Sequence, residues 1–208
     1  MGRLITTFLL SLVIFFFEDS YIQSQFKLIK EYIENYFFIR LIDSSIDIIG
    51  NGGYQAAFCI FLFAVGMLFR KKRLSYAGKY GLFSLLTASV IVQFLKHLIG
   101  RARPRLDNAY LFIGPSIKDG FDSFPSGHAF GAFTLAVIFS NVYPRSGIIF
   151  YGIASTISLW RLYDNSHFLS DVFAGMFLGM IIGRWFLNKY PHKYPPESAA
   201  TDSKTEKG

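Results

Sequence analysis

Long apolar segments alternate with short polar or basic stretches along most of this chain. Each segment is typical of a membrane-spanning helix, although several are shorter than the roughly 20 residues that a span requires. The short ones reach that length only by including their polar flanks. The pattern therefore predicts an all-α integral membrane protein, a bundle of six transmembrane helices. The predicted spans are Leu4–Phe17, Tyr54–Phe69, Tyr80–Gly100, Ala129–Tyr143, Gly147–Leu162 and Val172–Leu187.

The region between the first two spans has a different pattern. From Phe26 to Ile42, apolar residues recur at helical spacing, and charged residues fill positions between them. This predicts an amphipathic helix, which either lies in the membrane interface or packs over the bundle. The first span is expected to remain in the protein, because Glu18, Asp19 and Ser20 after it offer no small-residue cleavage site.

The composition agrees with a membrane protein. Hydrophobic residues make up 52% of the 208 positions, phenylalanine alone accounts for 24, and the mean hydropathy is +0.36. Much of the basic excess behind the net charge of +7 lies beside apolar segments, which indicates membrane orientation rather than nucleic-acid binding. The one cysteine, Cys59, allows no intrachain disulfide and is expected to be a small apolar packing residue.

Basic residues also predict the orientation, because lysine and arginine are enriched in cytoplasmic loops. Basic clusters alternate along the chain with three polar motifs, so placing the clusters inside puts all three motifs outside. Both termini are then cytoplasmic, and the motifs face the periplasm or exterior of a bacterial inner membrane. The clusters are Arg3, 70–79, Arg145 and 184–193.

A single domain is expected at this length. Residues 1–194 would form the membrane domain, with the three motifs between 96 and 171. Residues 195–208 are small and polar, and they are expected to form a disordered cytoplasmic tail.

The first motif is Lys96-x6-Arg103-Pro104. Seven residues are two helical turns, so the spacing predicts two cations on one helix face, with Pro104 ending the helix. Arginine can bind two phosphate oxygens at once, and lysine adds a point charge. The alternative is ordinary snorkelling of basic side chains to the membrane interface. Three neighbouring basic residues are expected to face elsewhere, namely His97, Arg101 and Arg105.

The second motif is Pro125-Ser126-Gly127-His128, directly before an apolar segment. Ser126 can cap that helix, and Gly127 allows the backbone to approach a ligand closely. The free N–H groups of the first turn would then point at an anion, with His128 placed to donate a proton. A plain helix cap followed by an interfacial histidine is the alternative.

The third motif is Arg161-x5-His167-x3-Asp171. Asp171 follows His167 by one helical turn, so its carboxylate can hold one imidazole nitrogen and leave the other free to attack. A simple interfacial His–Asp hydrogen bond is the alternative. All three motifs fall on one predicted membrane face, and all three suit an oxyanion.

The combination of these motifs resembles the type 2 phosphatidic acid phosphatase family, whose superfamily includes bacterial acid phosphatases, glucose-6-phosphatase and vanadium haloperoxidases. The resemblance implies that His167 is the nucleophile and forms a phosphohistidine, Asp171 orients it, and His128 protonates the leaving group and later activates water. It also implies that no metal and no cofactor take part. The phosphoryl oxygens would be bound by Lys96, Arg103, Ser126, Gly127 and Arg161.

The resemblance implies a lipid phosphate or pyrophosphate phosphatase, with a membrane lipid as its partner. The bacterial candidates are undecaprenyl pyrophosphate, phosphatidylglycerol phosphate, phosphatidic acid and lipid A 1-phosphate. One departure from the family is Trp160, which stands where a serine usually precedes the arginine.

Three alternative functions stay open. They are a lipid phosphotransferase with the same site, a vanadium haloperoxidase, and a non-catalytic membrane scaffold or channel. Six apolar spans argue against the haloperoxidase. Oligomeric state is not predicted.

Overall fold

The structure, a computed structural model, describes residues 2–106, 108 and 110–191. Among these residues the pairing closest to a strand is one antiparallel bridge between Arg101 and Phe112. The all-α prediction is therefore confirmed. The described helices are α1 (Gly2–Ile33), α2 (Phe37–Gly50), α3 (Gly52–Leu68), α4 (Lys72–Ile99), α5 (Gly127–Val142), α6 (Gly147–Tyr163) and α7 (Leu169–Lys189), with short 3₁₀ turns at Pro104–Leu106 and Pro144–Ser146.

Helix α5 forms the centre of the bundle. It is apolar around its whole circumference, as a helix surrounded by others must be, and it contacts α4, α6 and α7. Two glycines of α7 allow the closest approach: a Cβ on Gly175 or Gly179 would lie 2.4 Å from the carbonyl oxygen of Ser126 or Phe130. This contact fixes the start of α5 against the start of α7, where two of the three motifs lie.

The exposed surface is that of a membrane protein. Helices α4 and α7 are long and apolar enough to cross a bilayer, and the α2–α3 pair, bent by 61°, would count as a third span. Large apolar side chains point outward; Val90 and Phe94 on α4 are 71% and 65% exposed. The described helices thus support an integral membrane protein, and the count of six spans stays a prediction.

The N-terminal region differs from the predicted arrangement. Helix α1 continues without a break to Ile33, and the chain turns at residues 34–36 before α2 begins. The predicted amphipathic helix from Phe26 to Ile42 is therefore wrong, because it joined the end of one helix to the start of the next. Both pieces have helical spacing, so the pattern alone did not reveal the turn.

The amphipathic helix of this region is α2 instead. Its inward face includes Ile46, which packs against α5 and α6, while most of its other side chains are exposed. The predicted tail at 195–208 lies outside the described residues.

Candidate active site

A polar cavity of about 260 Å³ opens at the end of the bundle where α4 finishes and α5 begins. Six of the eight predicted site residues line it: Lys96, Arg103, Gly127, His128, Arg161 and His167. The other two, Ser126 and Asp171, are fully buried beside it. The three motifs, separated by up to 75 residues in the sequence, therefore converge on one pocket.

Lys96 and Arg103 reach this pocket by a route that differs from the predicted one. Helix α4 ends at Ile99, and Gly100 adopts the left-handed conformation with φ of 59° that commonly closes a helix. Arg103 thus lies beyond the helix, and the prediction of two cations on one helix face is wrong. The turn at Gly100 brings the Arg103 side chain back beside Lys96.

Asp122 holds both of these cations. Arg103 donates two hydrogen bonds to its carboxylate, at 2.7 and 2.6 Å, and Lys96 donates to its backbone oxygen. Burial alone would raise the pKa of Asp122, but the Arg103 hydrogen bonds and the Lys96 charge outweigh burial and hold that pKa below its usual range. Asp122 is therefore an anion that a bound phosphate would have to displace or share.

The start of α5 forms the floor of the pocket. Ser126 is the N-cap, and its Oγ accepts from the N–H of Ala129 at 3.5 Å. The first N–H groups of a helix have no partner within it, so those of Gly127 and His128 face a region suited to an anion. Whether Ser126 itself contacts a phosphate stays a prediction.

His167 lies in the turn between α6 and α7, just before the helix that carries Asp171. It is 2% exposed. Burial, opposed in part by Asp171, lowers the pKa of His167 to about 4. The imidazole is therefore neutral near pH 7, which is the form that can attack phosphorus.

The carboxylate of Asp171 lies beside His167 but is occupied elsewhere. Its Oδ2 is 3.7 Å from Nδ1 of His167, too long for a hydrogen bond, and among the described residues Nδ1 has no hydrogen-bond partner. The same Oδ2 accepts from Ser123 Oγ at 2.6 Å and from the N–H of Phe168 at 2.9 Å. Its Oδ1 accepts from Arg101 at 2.6 Å.

Arg101 is the main residue that sequence reasoning missed. It was expected to face elsewhere, yet it is fully buried and donates to both Asp171 and Asp19. The turn at Gly100 ends α4 and redirects the chain, so the helical spacing that placed Arg101 away from Lys96 does not apply. The signal available in the sequence was an Arg-x-Arg pair directly after a predicted helix.

Arg161 at the end of α6 is only 4% exposed and pairs with α2. Its guanidinium donates to Asp47 at 2.5 Å and lies 3.6 Å from Asp164. The neighbouring Trp160 donates its indole N–H to Asp43, one turn earlier on α2, at 2.6 Å. The tryptophan that departs from the family pattern thus anchors α2 to the wall of the pocket.

An apolar cavity of about 410 Å³ lies between α2 and α3 on one side and α5 and α6 on the other. Ile48 and Ile49 near the end of α2 line it, and the next residue, Gly50, lines the polar cavity. A Cβ on Gly50 would lie 2.7 Å from Cδ2 of His128 and 2.9 Å from Cγ2 of Ile157, so only a glycine fits between them. A polar and an apolar space side by side suit an amphiphilic ligand.

No group of three or more histidine, cysteine, aspartate or glutamate side chains within the described part of the chain could hold a metal ion. The positive charge in the pocket comes from Lys96, Arg103 and Arg161.

Comparison with known proteins gives a consistent result. The sequence model of the PAP2 superfamily matches residues 77–195. The chain is 36% identical over 107 residues to a lipid A 1-phosphatase of Rhizobium johnstonii, a match that covers 49% of this chain and 43% of that protein. A lipid A 1-phosphatase of Rhizobium etli is 35% identical over 107 residues, covering 49% and 45%. The match thus spans less than half the length of these curated relatives.

Two solved structures share the fold. The PAP2-type phosphatidylglycerolphosphate phosphatase of Bacillus subtilis superposes with a TM-score of 0.67 at 20% identity, over 91% of this chain and 98% of that one. LpxE of Aquifex aeolicus superposes with a TM-score of 0.58 at 26% identity, over 79% and 93%.

Proposed function

The chain belongs to the PAP2 superfamily, and from that premise we propose that it is a phosphatase acting on the phosphorylated head group of a membrane lipid. The observation that carries the proposal is the convergence of three cations, two histidines and a helix N-terminus on one polar pocket. Each cation pairs with a carboxylate, Lys96 and Arg103 with Asp122 and Arg161 with Asp47. A phosphate has the charge and the acceptor oxygens to take over these contacts.

The reaction would proceed in two steps at His167. In the first, a ring nitrogen of His167 attacks phosphorus while the bond from phosphorus to the lipid oxygen breaks, and His128 gives that oxygen its proton. In the second, His128 takes a proton from water, the water oxygen bonds to phosphorus, and the phosphorus–nitrogen bond breaks to release phosphate. Lys96, Arg103 and Arg161 would stabilise the charge on the phosphoryl oxygens throughout.

The substrate is proposed to be a phosphomonoester or pyrophosphate of a lipid whose chain occupies the adjoining apolar cavity. His128, the proposed proton donor, contacts Gly50 at the boundary between the two cavities, so the leaving lipid would lie on the apolar side. Among the candidates, lipid A 1-phosphate is the first to test, because the matched Rhizobium proteins are named for it. Phosphatidylglycerol phosphate, phosphatidic acid and undecaprenyl pyrophosphate complete the panel.

The test is phosphate release from this panel by the purified protein in detergent, with the lipid products identified by mass spectrometry. We expect one or more lipids to be dephosphorylated, activity to survive EDTA, and vanadate to inhibit. Transfer of the phosphoryl group to a second lipid without free phosphate would identify a phosphotransferase instead. No reaction with any lipid would favour a non-catalytic role, and restoration of an EDTA-sensitive activity by divalent metal would overturn the metal-free mechanism.

The pocket is proposed to face the outside of the membrane, with six spans and both termini in the cytoplasm. Lysine and arginine at 70–73 support this orientation. In a Cys59→Ser background, Asp119→Cys should react with an impermeant thiol reagent on intact spheroplasts, and Ser75→Cys only after the membrane is opened. The reverse labelling would place the pocket in the cytoplasm.

A further inference from the structure

Two buried carboxylates share one buried guanidinium next to the proposed nucleophile. Arg101 donates to Asp171 at 2.6 Å through one terminal nitrogen and to Asp19 at 2.8 Å through the other. Ser170 links all three, because its hydroxyl accepts from Arg101 at 2.6 Å and donates to Asp19. Asp19, Arg101, Ser170 and Asp171 are each 0% exposed.

Residue 101 holds Asp171 by two separate routes. Its side chain binds Oδ1, while its backbone oxygen accepts from the N–H of Ser123 at 3.1 Å. Ser123 in turn donates its hydroxyl to Oδ2 at 2.6 Å. Both oxygens of Asp171 are thus fixed from the same point of the chain, and the carboxylate has little freedom to rotate beside His167.

The surroundings of Arg101 keep water away from this cluster. Its guanidinium carbon lies 4.5, 5.0 and 5.4 Å from the ring centres of Phe168, Phe16 and Phe112. Charges in such an environment interact strongly, and an uncompensated one is costly. Among the described residues this cluster holds one guanidinium and two carboxyl groups; with both carboxyls ionised its net charge is about −1, and Asp19 supplies the excess.

Asp19 comes from a part of the chain that the family match does not include. Helix α1 precedes residue 77, where the match begins, and it carries Asp19. Asp19 also accepts from the backbone N–H of Ser170 at 2.9 Å, next to Asp171 on the first turn of α7. Helix α1 is therefore hydrogen-bonded to Ser170, the residue directly before Asp171, and Asp171 is the partner of the proposed nucleophile His167.

We propose that Asp19 and Arg101 are positioning residues for the reaction: Arg101 fixes the Asp171 carboxylate beside Nδ1 of His167, and Asp19 offsets the charge of Arg101 so that Asp171 still acts on His167 as an anion. His167 becomes more positive as it bonds to phosphorus, and a net negative charge beside Nδ1 stabilises that change. Without Asp19, Arg101 would neutralise Asp171. This inference rests on the proposed function of the pocket.

The test is Asp19→Asn, which keeps the shape of the side chain and removes its charge. We expect kcat on a lipid phosphate that the wild type hydrolyses to fall roughly 10- to 100-fold, by analogy with the loss caused by removing the hydrogen-bond partner of a metal-binding side chain. KM and the affinity for inorganic phosphate, measured by titration calorimetry in detergent, should change less than about threefold, because Lys96, Arg103 and Arg161 are untouched. If Asp19→Asn does not fold, Ser170→Ala is the alternative variant. It removes the hydroxyl that Asp19 and Arg101 share but keeps both charges. It should also lower kcat selectively, by a smaller factor than Asp19→Asn.

The matched control is Gln23→Met, one turn further along α1. Gln23 is also buried and joins α1 to the backbone oxygen of Leu162, but it does not contact Asp171. We expect this variant to keep its kcat. An Asp19→Asn protein with wild-type kcat would overturn the inference. Equal losses of kcat in the two variants, or a parallel loss of affinity for inorganic phosphate, would overturn it as well, since either result indicates a structural role only. An inactive wild type would instead count against the proposed function.

Discussion

The two sides of the pocket are built differently. On the His167 side, Asp171, Arg101 and Ser123 are fully buried and joined by hydrogen bonds of 2.6 Å. On the Arg161 side, one ion pair of 2.5 Å connects α6 to Asp47, whose side chain is 52% exposed on a largely exposed helix. The first arrangement, the closed side, would fix the proposed nucleophile before the substrate arrives. The second, the open side, would let an exposed carboxylate leave when a phosphate replaces it.

The largest effect is expected on the closed side, from His167→Ala. In the proposed mechanism no other side chain accepts the phosphoryl group, so kcat should fall by on the order of 10⁴ or more. Phosphate release from the lipid panel measures this loss. The affinity for inorganic phosphate, which the cations bind, should fall far less.

His97→Ala provides the matched control for that variant. His97 is exposed, and its ring contacts the backbone oxygen of Ser116 outside the pocket. Its replacement should leave kcat unchanged. A folded His167→Ala protein that releases phosphate near the wild-type rate would contradict the phosphohistidine mechanism and the contrast between the two sides.

Removing the cation on the open side should have the next largest effect. Arg161→Gln takes away a guanidinium whose Nε has no hydrogen-bond partner among the described residues, a donor that a phosphate could use. Losing one such donor typically costs about 10²- to 10³-fold in rate. We expect kcat/KM to fall by that amount, together with weaker vanadate inhibition. Unchanged vanadate inhibition would mean that Arg161 has only a structural role, in its ion pairs with Asp47 and Asp164.

Asp47→Asn should act in the opposite direction. Its carboxylate competes with an incoming phosphate for Arg161 at 2.5 Å, and exposed ion pairs are worth about 0–1 kcal/mol. Removing the charge should therefore lower KM and the inhibition constant of vanadate by up to about fivefold, with kcat little changed. A higher inhibition constant would show that Asp47 is needed to orient Arg161, and the open side would then resemble the closed one.

The sequence was sufficient to bring the motif residues together but not to explain how they meet. Lys96, His128 and His167 could be assigned to one face because each motif stands at the end of an apolar segment. The helical argument for Lys96 and Arg103 was wrong, because α4 ends at Ile99 and a left-handed glycine turns the chain. Spacing along a helix carries no information once the helix has ended.

The residues that support the pocket could not be predicted for a related reason. Asp19 meets Arg101 across 82 positions, and Asp47 meets Arg161 across 114. No local pattern marks such pairs, since each depends on how α1 and α2 pack against the bundle. The turn at 34–36, hidden by continuous helical spacing, is what separates these two helices and places one aspartate on each side of the pocket.

The smallest effect tests whether Trp160 acts on the pocket only through α2. Trp160→Phe keeps an aromatic ring but removes the hydrogen bond of 2.6 Å to Asp43, which lies one helical turn before Asp47. Loosening α2 should weaken the ion pair between Asp47 and Arg161, so vanadate should bind up to about twofold more tightly. This change has the same direction as that expected for Asp47→Asn but is smaller. In a double variant the two effects should not add, because both act on one contact.

The matched control is Trp185→Phe. Trp185 is the other tryptophan of the chain, lies on α7 and is 47% exposed, so its replacement should leave the affinity for vanadate unchanged. Independent, additive effects would mean that Trp160 forms part of the phosphate site itself and that the open side is less adaptable than the exposure of Asp47 indicates.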